Sequence, residues 1–191
     1  MKNKKCMGCR KESCDGCSLS PAVKIKTSKD TVGEGILLLQ DEGLSGLGIA
    51  FDIGTTTIAA MLWDLKQRRQ LAVRSSINPQ RSAGGDVISR IAYAGKSREN
   101  AWELQRLLVE KMDELGRDMT RIPARRVSVV GNTAMCEILL GLPLDGLSRA
   151  PFRKAYRGTA KRRGSELGFA WLGRAKIAVL PPIGGFVGAD A

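Results

Sequence analysis

A chain of 191 residues with 43% hydrophobic and 26% charged residues has room for one ordinary domain, or a domain with a small appendage, and is too apolar for wholesale disorder. Its 31 Lys and Arg against 19 Asp and Glu leave a net charge of +12, which draws anions such as nucleotides, nucleic acid, anionic lipid or an acidic protein. No apolar run approaches the ~20 residues of a membrane span, and a cysteine cluster stands where a signal peptide would place its apolar stretch, so a cytoplasmic protein without a membrane partner is expected.

The cluster is "CMGCRKESCDGC", with Cys6, Cys9, Cys14 and Cys17 spaced as C-x2-C-x4-C-x2-C. In a reducing compartment such density points to metal rather than disulfides. Two CxxC pairs each grip a metal through a tight turn, and Gly8 and Gly16 supply the turns. Four thiolates satisfy a tetrahedral zinc or an iron–sulfur cluster. Zinc ribbons place about 12 or more residues between their pairs. The four residues found here favour an iron–sulfur cluster, with zinc as the alternative. Lys4, Lys5, Arg10 and Lys11 offset the thiolate charge. Cys136, alone in "AMCEILLGL", reads as a small core residue.

Residues 1–19 therefore read as a cysteine-rich metal motif and 20–46 as a linker with one apolar island, Ile36 to Leu39. From residue 47 the pattern becomes regular. "LGIAFDI", "TTIAAMLWDL" and "QLAVRSSI" read as three strands of an antiparallel meander. Asn78-Pro79 and Gly84-Gly85 signal turns, and Asp86 starts a short helix. Ser97 caps a long helix whose buried stripe is Ala101, Leu104, Leu108, Met112, Leu115 and Met119. "RRVSVVGN" is a strand, "TAMCEILLGL" a helix that starts at Asn132 or Thr133 and ends at Gly141, and "KIAVLPPI" a fifth strand. Three strands, helix, strand, helix, strand is an α/β order in which a meander leads into a parallel crossover. The last strand wants a covering helix, and the chain stops where that helix should begin.

One basic cluster lies at the N-terminus; the other runs from Arg153 to Lys176 against the single acid Glu166. Aromatics make up only 5% of the chain, few for base stacking, so nucleic acid is not the expected partner. A solvated face, or a docking face for an acidic protein, fits better.

"FDIGTTTIA" joins the first two strands. A strand ending in Asp, a Gly-Thr-Thr-Thr turn and a returning strand suit a phosphate site. Gly54 allows close backbone approach. The amides and hydroxyls of Thr55, Thr56 and Thr57 donate to phosphate oxygens, and Asp52 holds Mg²⁺ through its waters. The alternative is a plain hairpin with threonine in its turn.

"GIAFDIGTTTIAAMLWDL", "SSINPQRSAGGDVISRI", "VVGNTAMCEILLGL", "RAPF" and "LPPIGGFVGADA", in that order, resemble the reductive activators of corrinoid proteins. These are iron–sulfur ATPases with an actin-like (sugar kinase/Hsp70-type) nucleotide fold. The resemblance covers residue 47 to the end. It implies an RNase H-like first lobe over 47–191, and use of ATP with Mg²⁺ to drive an electron from an iron–sulfur centre to cobalt(II), regenerating cobalt(I). A corrinoid protein or its methyltransferase and an electron donor would be the partners. Under the resemblance Asp52, Gly54, Thr55, Thr56 and Thr57 form the first phosphate loop. Gly131, Asn132 and Thr133 approach the nucleotide or the metal, and Asp190 stands where related kinases carry a catalytic acid.

Two departures shape the expectation. Other activators carry a ferredoxin-type domain or cysteine clusters of other layouts; the compact cluster here favours a four-iron over a two-iron type. The fold has two lobes with ATP between them, and nothing follows Ala191, so the chain reads as a truncated activator that alone does not hydrolyse ATP usefully. A small basic zinc protein that binds nucleic acid or a partner is the competing reading. A kinase of the same superfold has no use for the cysteine cluster.

Overall fold

The computed structural model describes residues 45–183. They belong to one of the two units into which the chain divides, Glu34–Ala191. The cysteine motif, the linker up to residue 44 and Asp190 lie outside the described residues.

The expected meander is present as β1 (Leu47–Ile53), β2 (Thr57–Asp64) and β3 (Arg69–Ile77). A 3₁₀ turn at Pro79–Ser82 leads to α1 (Val87–Ala94) and α2 (Arg98–Met119). Then come β4 (Arg126–Gly131), α3 (Thr133–Leu139) and the single turn α4 (Asp145–Ser148). β5 (Ala160–Arg163) and β6 (Lys176–Val179) close the sheet, with a 3₁₀ turn at Gly164–Leu167 between them. Six strands stand in the order β3-β2-β1-β4-β6-β5. β1, β4 and β6 run parallel; β5 returns antiparallel on the outer edge of β6.

β5 corrects the sequence reading, which has five strands and leaves "AKRR" as part of a basic surface. Lys161, Arg162 and Arg163 are all exposed, so no apolar alternation marks the segment. What makes it a strand is backbone pairing, with Arg163 opposite Lys176 and Ala160 opposite Val179.

The two faces of the sheet differ. Ile49, Phe51 and Ile53 of β1, with Ile58, Ala60 and Leu62 of β2, are buried in one core with Leu104, Leu108 and Met112 of α2. The intervening positions are not: Ala50 is half-buried, and Asp52, Met61 and Val73 are exposed. Helices thus cover one face, while the face bearing Asp52 is open among the described residues. α2 is placed by the cap foreseen for it, with the Ser97 hydroxyl accepting from the Asn100 amide at 3.1 Å. Buried Asp113 accepts from the amides of Ala170, Trp171 and Leu172 at 2.8, 2.8 and 3.0 Å, which ties the helix to the loop before β6.

Candidate functional site

Two loops meet where β1 and β4 end side by side. The first is the β1–β2 turn. Gly54 N donates to Thr57 O at 2.9 Å, leaving Thr55 and Thr56 at the tip, so the segment is a tight hairpin. A Cβ on Gly54 would lie 2.7 Å from Thr57 O; only glycine fits there. The second loop follows β4. Gly131 pairs with Ile53, and a Cβ on it would lie 2.7 Å from Ile53 O. Asn132 then caps α3, its Oδ1 accepting from Ala134 N at 2.8 Å.

The sequence residues take these places. Asp52, Thr56 and Thr57 are exposed, Gly54, Thr55 and Asn132 half-buried, Gly131 and Thr133 buried. Asp52, Gly54 to Thr57 and Gly131 to Thr133 therefore come together at one end of the sheet. Asn132 spends its carbonyl oxygen on the helix cap.

Three residues unassigned by the sequence hold the first loop from behind. Asn78 Nδ2 donates to Gly54 O at 2.9 Å, and Asn78 N donates to Thr56 O at 2.8 Å. Arg90 donates through one terminal nitrogen to Thr55 O at 2.5 Å, through the other to Gln80 Oε1 at 3.2 Å, and through Nε to Gly84 O at 3.0 Å. Gln80 in turn donates to Leu104 O of α2 at 2.9 Å. Asn78, Gln80 and Arg90 are all 0% exposed. Burial pulls the Arg90 guanidinium below the ordinary arginine value; Asp86 opposes the shift and Arg81 adds to it. It still carries its charge, because the ordinary value is so high. In the sequence they lie in "NPQRSAGGDVISR", where Asn78-Pro79 and Gly84-Gly85 read as turns and Asp86 as a helix start, and nothing marks Gln80 or Arg90 as facing inward.

This support orients the loop. In a trans peptide the C=O and the following N–H point in opposite directions. With Gly54 O and Thr55 O engaged from behind, the amides of Thr55 and Thr56 point away from Asn78 and Arg90. Two successive amides turned outward, beside two threonine hydroxyls and a glycine, suit an anion. Asp52 lies on the same face of the sheet as Thr57, as its pairing with Ala59 requires. Among the described residues no group of three or more His, Cys, Asp or Glu could hold a metal. The four sequence-assigned cysteine ligands lie outside them, and Cys136 is buried as expected.

An open groove of about 830 Å³ lies elsewhere, between α1, the start of α2 and the stretch 141–152. Its lining mixes apolar side chains, Ile88, Ile91, Trp102, Leu144 and Phe152, with the polar Lys96 and Arg98 at the start of α2.

A family model described as the RACo middle region matches residues 47–191. The chain belongs to the RACo middle-region family. Its fold is that of the activators' actin-like lobe, as the sequence resemblance implied. This RACo middle region is 32% identical over 153 residues to the corrinoid activation enzyme RamQ of Eubacterium limosum, a match that covers 75% of the chain and 25% of that protein. A solved structure described as a reductive activator for corrinoid, iron–sulfur protein superposes at a TM-score of 0.70 with 25% identity, over 78% of this chain and 24% of that one. The chain thus spans about a quarter of the length of the relatives it matches. No helix among the described residues is long and apolar enough to cross a membrane.

Proposed function

We propose that the chain supplies the first phosphate-binding lobe, and the iron–sulfur ligands, of an ATP-dependent activator that returns a corrinoid protein from cobalt(II) to cobalt(I). The observation that carries this reading is the pair of glycine-dependent loops at the adjoining ends of β1 and β4, with the Thr55 and Thr56 amides turned outward. The corrinoid chemistry comes from the two relatives, a corrinoid activation enzyme and a reductive activator for corrinoid, iron–sulfur protein. ATP, when bound, supplies the free energy for an unfavourable reduction. The chain's own residues would do the holding. Thr55 and Thr56 amides, with the Thr55, Thr56 and Thr57 hydroxyls, take phosphate oxygens. Asp52 takes waters of Mg²⁺. Gly131 keeps the second loop close enough to reach the same phosphates, and Asp190 would position or deprotonate a water. Cys6, Cys9, Cys14 and Cys17 would ligate a four-iron cluster, fed by an external electron donor; a cytoplasmic setting keeps those thiols reduced.

The test is anaerobic purification of the whole chain, followed by metal and sulfide analysis and titration with Mg-ATP. The expected result is iron with acid-labile sulfide, and ATP binding that Thr56→Val and Asp52→Asn each weaken by about tenfold, the loss of one charge-assisted contact. Stoichiometric zinc, without sulfide and without nucleotide binding, would instead support the zinc-protein reading.

A further inference from the structure

Basic residues scattered through the sequence converge on one end of the fold, the end opposite the phosphate loops. β1, β4 and β6 all begin there, and β5 ends there, as the pairings of Gly48 with Arg126, Arg126 with Lys176 and Lys176 with Arg163 require. The β2–β3 turn brings Arg68 and Arg69 to it, since Asp64 pairs with both Leu47 and Arg69. The loop from α2 into β4 adds Arg121 and Arg125, and the far edge adds Arg163 and Lys176. All six are exposed, and none is in an ion pair among the described residues. The acids nearby are few. They are Asp64, whose Oδ1 accepts from the Lys66 and Gln67 amides at 3.0 Å each, Asp118 and Glu166, three against six cations. In contrast, part of the basic 153–176 stretch is turned inward: Lys154 Nζ donates to Pro182 O at 2.6 Å.

We infer that this end of the sheet is a docking surface for an acidic protein face. A six-stranded sheet end is about 24 Å across at ~4.8 Å per strand, the breadth of a standard interface patch of about 800 Å² per partner. Five of the six cations are arginines, whose planar forks match carboxylates bidentately and resist burial less than lysine. Ile122, 69% exposed in the same α2–β4 loop as Arg121 and Arg125, offers an apolar contact. No exposed aromatic ring stands on this end among the described residues, which disfavours bases as the ligand. The position leaves the phosphate loops free, so a partner and a nucleotide bind without competing. The inference stands apart from the ATP reading and survives its failure.

The experiment uses the whole chain and a short fluorescent poly-L-glutamate as probe, at physiological salt, with a DNA duplex and phosphatidylserine vesicles in parallel. The triple variant Arg68→Glu/Arg121→Glu/Arg125→Glu should lose about tenfold or more in poly-glutamate affinity, with an unchanged thermal melt. The control Arg81→Glu/Lys96→Glu/Arg98→Glu, equal in charge but at the other end, should lose no more than about twofold. Equal losses in the two variants would mean that net charge alone is read, and would overturn the proposal. So would tighter binding to DNA or vesicles than to poly-glutamate, or no poly-glutamate binding at all. Residues 30 to 44 carry Asp30, Glu34, Asp41 and Glu42 and no base. If poly-glutamate binds only after these four become amides, the chain's own acids fill the surface and no partner is called for.

Discussion

A guanidinium that is wholly buried, with no carboxylate in an ion pair with it among the described residues, is costly to keep inside a protein unless its donors are all used. Arg90 uses them on Thr55 O, Gly84 O and Gln80 Oε1, all parts of the wall behind the first loop. Arg90→Met leaves three acceptors without a donor and should destabilise the chain by about 3 kcal/mol, read from urea unfolding. Arg90→Lys, with a point charge and no fork, should recover only part of it. An unchanged midpoint for the methionine variant would remove the strut role. Glu137 is the opposite case. Its Oε1 accepts from Ala155 N at 2.5 Å, and its Oε2 is buried with no hydrogen-bond partner. Burial raises its pKa, against the lowering effect of the Ala155 amide. A carboxyl whose folded pKa lies above its unfolded value favours folding most at low pH, and that contribution is lost as pH rises through the folded value. Wild type should therefore melt lower at pH 8 than at pH 5, and Glu137→Gln should flatten that difference. Parallel melting curves at the two pH values for both proteins would contradict it.

Among the elements, the loops at the ends of β1 and β4 depend on close backbone contact. Gly131→Ala pushes a methyl against Ile53 O and should both cost about 2 kcal/mol and separate the two loops. Amide exchange of residues 53–57 should rise in this variant, and stay as in wild type if the contact is loose. Asn132→Ala removes the α3 cap and should cost about 1 kcal/mol without moving β1. The sequence showed elements in proportion to their apolar contrast. β1 and β2 alternate buried and open positions, and α2 repeats its stripe, so periodicity located them. β5 has no such contrast, because its partners are main-chain groups. The tight turn after β1 was legible through Gly54 and the threonines, because a glycine followed by short polar residues marks a turn in sequence as well. Asn78, Gln80 and Arg90 were not, because polar residues that fold inward to hold a backbone look in sequence like residues of a solvated turn or of a helix's outer face.

Across the whole molecule, chemistry is divided between the two ends of one sheet. The strand termini that carry glycine, threonine and Asp52 lie at one end, and the arginine-rich connections lie at the other. Local reading could find each half of the first, since 52–57 and 131–133 are each a short contiguous motif. It could not find the second, which exists only once β1, β4 and β6 align three distant segments. The order of the sheet also decides which strands are left at its borders. β5 borders one side as a four-residue strand with three cations, a poor template for a further strand. β3 borders the other with nine residues, and Leu71, Val73 and Ile77 on it are 42, 45 and 62% exposed. A long border strand with apolar side chains invites another copy to add its own, so this is where heated or concentrated protein should begin to aggregate. Val73→Lys should delay light scattering on heating while leaving the reversible melt within about 0.5 kcal/mol of wild type, and the same charge placed on β5 should change nothing.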